Sequence, residues 1–365
     1  MPPDPIRSPL PRLALIAAIL ATLALLFAWA GGWLTPRVSG GSIADAVQVN
    51  NGRIFAGVRR AHAKGLCVSG RFDANGGGTA LSSASLFRRG SVAVDGRFSL
   101  AGGDPGAPDG RNVFHALGLR FLLPGGEEWR MALDHTPIFL VSTPADFQAF
   151  VIASTPLPAT KKPDSAKMAA FLAAHPETQR FMDLMKTAPL PSSFANGTYH
   201  SIDAFRFTDA GGGVHLVRWQ FEPEDAFAAL DKKTLDTLPS DALFDEYVTR
   251  AGKGPVRWHM IVVLPNPGDR TDDATIEWTG AHRRIDVGTL TLTETTPEAT
   301  GNCRDFVFDP LILPSGVAGS DDPLLAGRSA AYAASFRRRG KEGPPAASDS
   351  SPGSSPASSP LGATR

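Results

Sequence analysis

The sequence predicts an α+β fold in which helices flank an antiparallel sheet or barrel. Short runs of alternating apolar residues between positions 65 and 142 predict strands separated by Gly, Pro and Asp turns. Helical spacing dominates residues 164–188 and 222–250, with strand-like runs between and after them. Glycine and proline, 37 and 31 of 365 residues, make up about a fifth of the chain, which favours a turn-rich fold over a helical bundle.

The elements follow one another along the chain. Residues 42–51 predict a helix with Ser42 at its N-cap. The helical segment 164–188 is expected to break at Pro176, because proline lacks the amide hydrogen that a helix interior requires. Strands, then helices, then strands and a final helix are typical of an α+β domain. The later strand-like runs lie at 198–221, 255–264 and 275–294.

The composition excludes several classes of protein. The 36 basic and 36 acidic residues give a net charge of zero, which excludes a dominant nucleic-acid-binding surface. With 42% hydrophobic and 20% charged residues, the chain can bury a core and is neither wholly disordered nor a polytopic membrane protein. Cys67 and Cys303 are too few for a disulfide framework, and their spacing leaves open whether they pair.

The N-terminal region predicts a membrane anchor. Residues 13–30 carry no charge and the apolar run reaches Leu34, which is long enough to span a bilayer as a helix. Arginines precede the run, so the positive-inside rule places residues 1–12 in the cytoplasm. We therefore expect a single-pass inner-membrane protein anchored by residues 13–34, with the rest of the chain facing the periplasm. The alternative is a signal peptide cleaved at Ala30.

The remaining chain is expected to hold one folded domain between two less structured segments. Residues 35–41 are interpreted as a linker and residues 42–340 as the folded domain. Residues 341–365 are rich in proline, serine and alanine and contain no aromatic side chain. Such a composition predicts a disordered tail, because it cannot bury enough surface to offset the entropy lost on ordering.

Two polar motifs lie in the first strand region. In RRAHAKG, His62 lies between alanines with basic residues on either side, and alone it would be interpreted as a partly buried structural histidine. In GRFSLAGGDP, Arg97 and Ser99 alternate with apolar residues and share one face of a strand. An arginine and a hydroxyl on an inward face require an anionic or polar partner.

Two further motifs lie later in the chain. DHTPIFLV, residues 134–141, places a polar pair before an apolar run. In DPLLAGRSAAYAASFRRRG, Arg328 and Tyr332 are four residues apart and share one helical face. The small residues between them leave room for a large flat ligand, and the guanidinium favours the phenolate form of the tyrosine.

Together and in this order, these segments resemble the haem catalases, most closely the short catalase-related peroxidases. The resemblance extends over residues 43–340. It implies a catalase-like antiparallel β-barrel with flanking helices, and haem b as the cofactor. The matched segments are RRAHAKG, GRFSLAGGDP, LRFLLPGGEEWRMALDHTPIF, ANGTYHSIDAFRF, IDVGTLTL, FDPLILPSG and DPLLAGRSAAYAASFRRRG.

The resemblance implies a role for each matched residue. His62 corresponds to the distal histidine, and Ser99 to the serine that orients it. Tyr332 corresponds to the proximal iron ligand, as a phenolate, and Arg328 to the arginine that bonds this phenolate. The other cofactor-binding residues are the arginines that pair with the haem propionates and the phenylalanines that line the distal pocket: Arg59, Arg97, Arg339, Phe139 and Phe147.

One position departs from the family pattern. Where full catalases have an asparagine among the distal residues, this chain has Asp134. An ionised carboxylate cannot donate a hydrogen bond to peroxide, and beside His62 it is expected to raise the pKa of the imidazole. Burial opposes this by raising the pKa of Asp134 itself. The substitution puts the oxygen-releasing step of a true catalase in question.

The expected function is that of a haem peroxidase. It would reduce hydrogen peroxide or organic hydroperoxides through a high-valent iron–oxo intermediate, with electrons from an external donor that the sequence does not identify. A true catalase that dismutes hydrogen peroxide is the alternative, followed by a non-enzymatic haem-binding protein. The expected partners are the peroxide, the donor and, through the N-terminal helix, a membrane. No nucleic-acid partner is expected, and homo-oligomerisation is left open.

Overall fold

The N-terminal unit contains one helix whose length decides the membrane prediction. The computed structural model describes residues 10–30, 38–111 and 113–345, and the chain divides into the units Met1–Ser39 and Gly40–Arg365. Helix α1 spans Leu10–Ala30. Nowhere in the described ranges is a helix both long and apolar enough to cross a membrane.

The predicted single-pass inner-membrane location and periplasmic orientation are therefore wrong. A membrane span needs about 20 consecutive apolar residues, and the prediction counted the apolar run as far as Leu34. The uncharged part of α1, residues 13–30, is shorter than this, and the rest of the counted run, residues 31–34, lies outside the described part of the chain.

The second unit is built on an antiparallel β-barrel. In its described part, eight strands close a ring in the order β10-β11-β1-β2-β3-β4-β6-β8, and β8 pairs back with β10. Strands β7 and β12 extend the sheet beyond β8, and β5 pairs with β9. The barrel confirms the predicted architecture. The strands are β1 (Gly65–Ala74), β2 (Gly90–Leu100), β3 (His115–Leu122), β4 (Glu128–Asp134), β5 (Leu190–Pro191), β6 (Tyr199–His200), β7 (Phe205–Thr208), β8 (Val214–Pro223), β9 (Ala229–Leu230), β10 (Val256–Val263), β11 (Arg284–Pro297) and β12 (Val317–Gly319).

Helices flank the barrel as expected, with shifted boundaries. The predicted helix 164–188 forms as two helices that meet at His175, because Pro176 starts the second one. The predicted helix 222–250 forms in its last part, as α6. Its first residues belong to the barrel instead, where Pro223 pairs with Trp258. The helices are α2 (Gly40–Asn51), α3 (Pro144–Ala153), α4 (Ser165–Ala174), α5 (Pro176–Thr187), α6 (Ala242–Gly252) and α7 (Pro323–Lys341).

Aromatic side chains fill the barrel core. The largest side chains with almost no exposed surface include Trp129, Trp258, Tyr199 and Tyr247. They belong to one hydrophobic cluster that continues between the sheet and α6. Each such side chain contributes about 1.5–3 kcal/mol by leaving water, so the barrel is a rigid support for the polar residues at its rim.

A disulfide ties the barrel to a later segment. Cys67 on β1 is bonded to Cys303, 236 residues away, which answers the question that the spacing left open. Cys303 lies in a short 3₁₀ helix, Asn302–Asp305. The bond fixes the segment after β11 against β1, next to the loop that carries Arg59.

The C-terminal helix extends to the edge of the predicted tail. Helix α7 ends at Lys341, at the predicted end of the folded domain. Residues 346–365, which make up most of the predicted disordered tail, lie outside the described residues.

Candidate active site

The barrel register brings two of the sequence motifs together. Gly65, the last residue of RRAHAKG, pairs directly with Ser99 on β2. A Cβ atom at Gly65 would lie 2.3 Å from the Arg97 guanidinium carbon, so a larger residue here would displace the end of the arginine side chain. The histidine loop therefore lies over the strand that carries Arg97 and Ser99.

His62 is held in an unusual backbone conformation beside Ser99. Its φ angle is 54°, in the left-handed region that non-glycine residues seldom adopt and that is concentrated at functional sites. The Ser99 hydroxyl lies 3.4 Å from His62 Nδ1. The Phe114 ring, which sequence reasoning did not single out, lies 6.3 Å from the imidazole centroid.

The imidazole of His62 is neutral at physiological pH. Burial lowers its pKa to about 4, and the charges of Arg97, Arg328 and Arg59 add to this effect. The sequence predicted that Asp134 would raise the pKa of His62. The pKa is lowered instead, because the charged groups that act on His62 are arginines. A neutral imidazole with Nδ1 turned to Ser99 can accept a proton at Nε2.

Tyr332 and Arg328 form the predicted pair on α7. Arg328 Nη2 donates to the Tyr332 hydroxyl over 3.5 Å and to the carbonyl of Ala132 over 3.0 Å. Burial disfavours the charge on Arg328, yet the Tyr332 phenol and the carboxylates of Asp203 and Asp134 raise its pKa above its usual range. Arg328 is therefore a permanent cation beside the phenol oxygen.

Asp203 is a third member of the Tyr332–Arg328 group, and the sequence analysis did not identify it. It is 0% exposed and forms an ion pair with Arg328 Nη1. The preceding Ile202 has a φ of 54°, which a β-branched residue adopts only under strain. This kink separates β6 from β7, both of which pair with β8. The available signal was an acidic residue between two apolar ones, Ile202 and Ala204, within the matched segment ANGTYHSIDAFRF.

Asp134 lies near Arg328 at the end of β4. Its backbone pairs with Ala116 and His200. Burial raises its pKa to about 7, with Arg328 lowering it and Asp203 raising it further. Its carboxyl group is therefore close to half-protonated at neutral pH, and the charged groups that act on it are Arg328 and Asp203.

A second group of site residues is formed by the three arginines that were expected to bind the propionates. Arg59 donates to the carbonyls of Cys303 and Phe306, both over 2.9 Å, and Arg339 also donates to the carbonyl of Phe306, over 3.2 Å. Arg97 donates to the carbonyl of Ala63 over 3.1 Å. The Nε atom of Arg97 is buried without a partner among the described residues. A buried guanidinium donor without an acceptor fits an anionic ligand group.

The two predicted pocket phenylalanines pack together. The rings of Phe139 and Phe147 are stacked, with centroids 5.9 Å apart. They belong to an apolar cluster with Val141 and Phe171 that joins α3 to α4. The structure thus pairs these two rings with each other and places Phe114 beside His62.

Three histidines line the sheet next to Asp134. His115 is 0% exposed and neither ring nitrogen has a partner among the described residues, while its backbone amide donates to His135 Nδ1 over 3.1 Å. Burial lowers the pKa of His115 to about 3 and those of His135 and His200 to about 4. All three are neutral in the folded protein at pH 7.

Replacing His115 by phenylalanine is expected to stabilise the protein increasingly as the pH falls. The folded pKa is below the unfolded one, so the wild type gains protons on unfolding between pH 6.5 and about 3 and loses stability there. At pH 5 the advantage of His115→Phe is expected to be about 2 kcal/mol greater than at pH 7.5. Urea unfolding at both pH values measures it, and a pH-independent difference would contradict the buried neutral state.

Comparisons with known proteins agree with this geometry. A family model described as Catalase matches residues 45–343. A catalase-related peroxidase of Synechococcus elongatus is 36% identical over 308 residues, 84% of this chain and 91% of that protein. A catalase-related peroxidase of Mycolicibacterium paratuberculosis is 31% identical, covering 86% and 99% of the two chains. The crystal structure of a fungal catalase has the same fold, with a TM-score of 0.70, 19% identity, and coverage of 81% of this chain and 61% of that one.

Proposed function

The chain belongs to the catalase family, and from this membership we propose that it is a haem peroxidase that draws electrons from an external donor. It is a haem-dependent oxidoreductase that acts on peroxide. The observation that carries the residue assignments is the Tyr332–Arg328–Asp203 chain of contacts, together with a neutral His62 imidazole held beside the Ser99 hydroxyl. The peroxidase reading is favoured over a true catalase, since the relatives at 36% and 31% identity are both named catalase-related peroxidases.

The residues present fit a haem group. Tyr332 would hold the iron as a phenolate, with Arg328 keeping negative charge on the phenol oxygen favourable. Arg97, with its unpartnered Nε, and its neighbours Arg59 and Arg339 would bind the propionates. We propose that the haem is of type b.

The protein residues supply placement and proton transfer. Haem iron, when bound, supplies the redox chemistry that cleaves the O–O bond of a peroxide. His62 Nε2 takes the proton from one peroxide oxygen and returns it to the other, because its low pKa leaves the imidazole neutral. Ser99 holds Nδ1 and so fixes the orientation of the ring. Phe139 and Phe147 are proposed to form the apolar wall of the substrate pocket.

We propose that the haem domain spans residues 42–340, preceded by a linker at 35–41. The substrate is hydrogen peroxide or an organic hydroperoxide, and the electrons come from an external donor.

The function is tested by loading the purified protein with haem. We expect one haem per chain and donor-dye oxidation that requires both haem and peroxide. Apoprotein with the same dye and peroxide is the control. A protein that binds haem stoichiometrically but oxidises no donor would contradict a peroxidase and favour a haem-binding role.

Asp134→Asn is expected to raise oxygen release from hydrogen peroxide, and more so at high pH. The amide can always donate a hydrogen bond, whereas Asp134, with a pKa near 7, loses its proton as the pH rises. A neutral hydrogen bond in place of a charge is worth about 1–3 kcal/mol, or about 5- to 150-fold in rate. The gain should be large at pH 8 and small at pH 5.5. An oxygen electrode at matched haem content measures it, and an equal or negative effect at both pH values would contradict this role.

A further inference from the structure

Glu298 places a carboxylate among the three arginines assigned to the propionates. Glu298 is 8% exposed and directly follows β11. Its Oε1 forms an ion pair with Arg59, and its Oε2 lies 2.6 Å from Arg97 Nη2. Arg339 is close enough to act on its charge.

Glu298 is ionised within this cluster. Burial alone would raise the pKa of a carboxyl group, but Arg97 and Arg59 outweigh it and hold the pKa of Glu298 below its usual range. Asp305 also acts on Arg59 and Arg339 but is paired with Arg304, so the three guanidinium groups against Glu298 leave an excess of two positive charges. The two propionates of a haem would neutralise that excess, so the cluster is balanced only with Glu298 included.

The segment that carries Glu298 is fastened in place. The Cys67–Cys303 disulfide fixes the following residues to β1, and a Cβ at Gly301 would lie 2.5 Å from the Cys67 sulfur. The carbonyls of Cys303 and Phe306 accept hydrogen bonds from Arg59. A carboxylate on so constrained a segment stays beside the arginines when a ligand enters.

We propose that Glu298 is a positioning residue that holds the arginine cluster together in the apoprotein and, by sharing Arg59 and Arg97 with the haem propionates, weakens haem binding. The inference rests on the proposed function. It makes Glu298 the residue that balances the stability of the empty protein against haem retention, since a carboxylate near the propionates repels them.

The test is Glu298→Gln, which keeps the shape and removes the charge. The apoprotein melting temperature is expected to fall by about 5 °C or more, because three buried arginines lose their counter-ion. Haem transfer from the loaded variant to excess apomyoglobin is expected to slow by about 10-fold, because one like charge near the propionates is gone. This transfer starts from loaded protein, so it does not require a stable apoprotein.

Glu128→Gln is the matched control, since Glu128 also bridges two arginines, Arg120 and Arg130. Its haem transfer rate is expected to equal that of the wild type. Haem transfer from Glu298→Gln that is unchanged or faster would overturn the proposal. A wild type that binds no haem would instead refute the proposed function, so the two failures are distinguishable.

Discussion

Tyr332→Phe is expected to abolish stoichiometric haem binding. The substitution removes only the phenol oxygen, which lies 3.5 Å from Arg328 Nη2 and is the proposed iron ligand. The chain has three tyrosines, and the other two, Tyr199 and Tyr247, are buried in the barrel core, so neither can replace it. Titration of the apoprotein with haem, followed by its absorption spectrum, measures the loss.

Tyr247→Phe is the control for this prediction. The Tyr247 hydroxyl is buried without a hydrogen-bond partner among the described residues, so its removal should leave both folding and haem binding intact. If Tyr332→Phe retained one haem per chain with an unchanged spectrum, Tyr332 would not be the ligand.

His62→Asn is expected to keep the haem but slow its reaction with peroxide by about 10²-fold or more, on the scale of lost general acid–base catalysis. Asparagine tolerates the left-handed conformation that His62 adopts, so the loop should keep its shape. Stopped-flow absorbance after peroxide addition measures the rate.

Ser99→Ala separates orientation from proton transfer. It leaves the imidazole in place and removes the hydroxyl 3.4 Å from Nδ1, so we expect a smaller decrease in the rate of reaction with peroxide than in His62→Asn.

The wild-type rate of reaction with peroxide is expected to depend on pH through His62. Because the pKa of His62 is about 4, the rate should hold from pH 8 down to about 5 and fall below that as the imidazole is protonated. Equal rates for His62→Asn and wild type would remove His62 from the mechanism.

Local patterns predicted the antiparallel strands and the contact between two site residues, whereas the resemblance to haem catalases implied the closed barrel and the roles of the site residues. Alternating apolar residues specified antiparallel strands, and the four-residue spacing placed Arg328 beside Tyr332 on α7. Pro176 broke its helix as a local rule requires.

The parts that sequence reasoning missed depend on tertiary contacts. Asp203 reaches Arg328 only because Ile202 is forced into a left-handed conformation between β6 and β7. Glu298 reaches Arg59 and Arg97 through a segment whose position is set by the Cys67–Cys303 bond. Burial raises the pKa of Asp134 as expected, but the expected rise in the pKa of His62 was wrong for the same reason, since burial and three arginines lower it.

The membrane prediction counted the apolar run as far as Leu34. The described part of that run lies in α1, Leu10–Ala30, which is not long and apolar enough to cross a membrane. The predicted helix 222–250 forms in its last part, as α6, but not at its start, because the pairing of Pro223 with β10 outweighed helical spacing there.

The most direct test of the central claim is the fate of hydrogen peroxide consumed by the haem-loaded protein with and without a donor dye. Dye oxidation and oxygen release are recorded in the same reaction at pH 7. We predict that, with the donor present, most of the peroxide consumed appears as oxidised donor, and that oxygen release without donor is slow. Rapid oxygen release that the donor does not reduce would contradict a peroxidase and identify a true catalase.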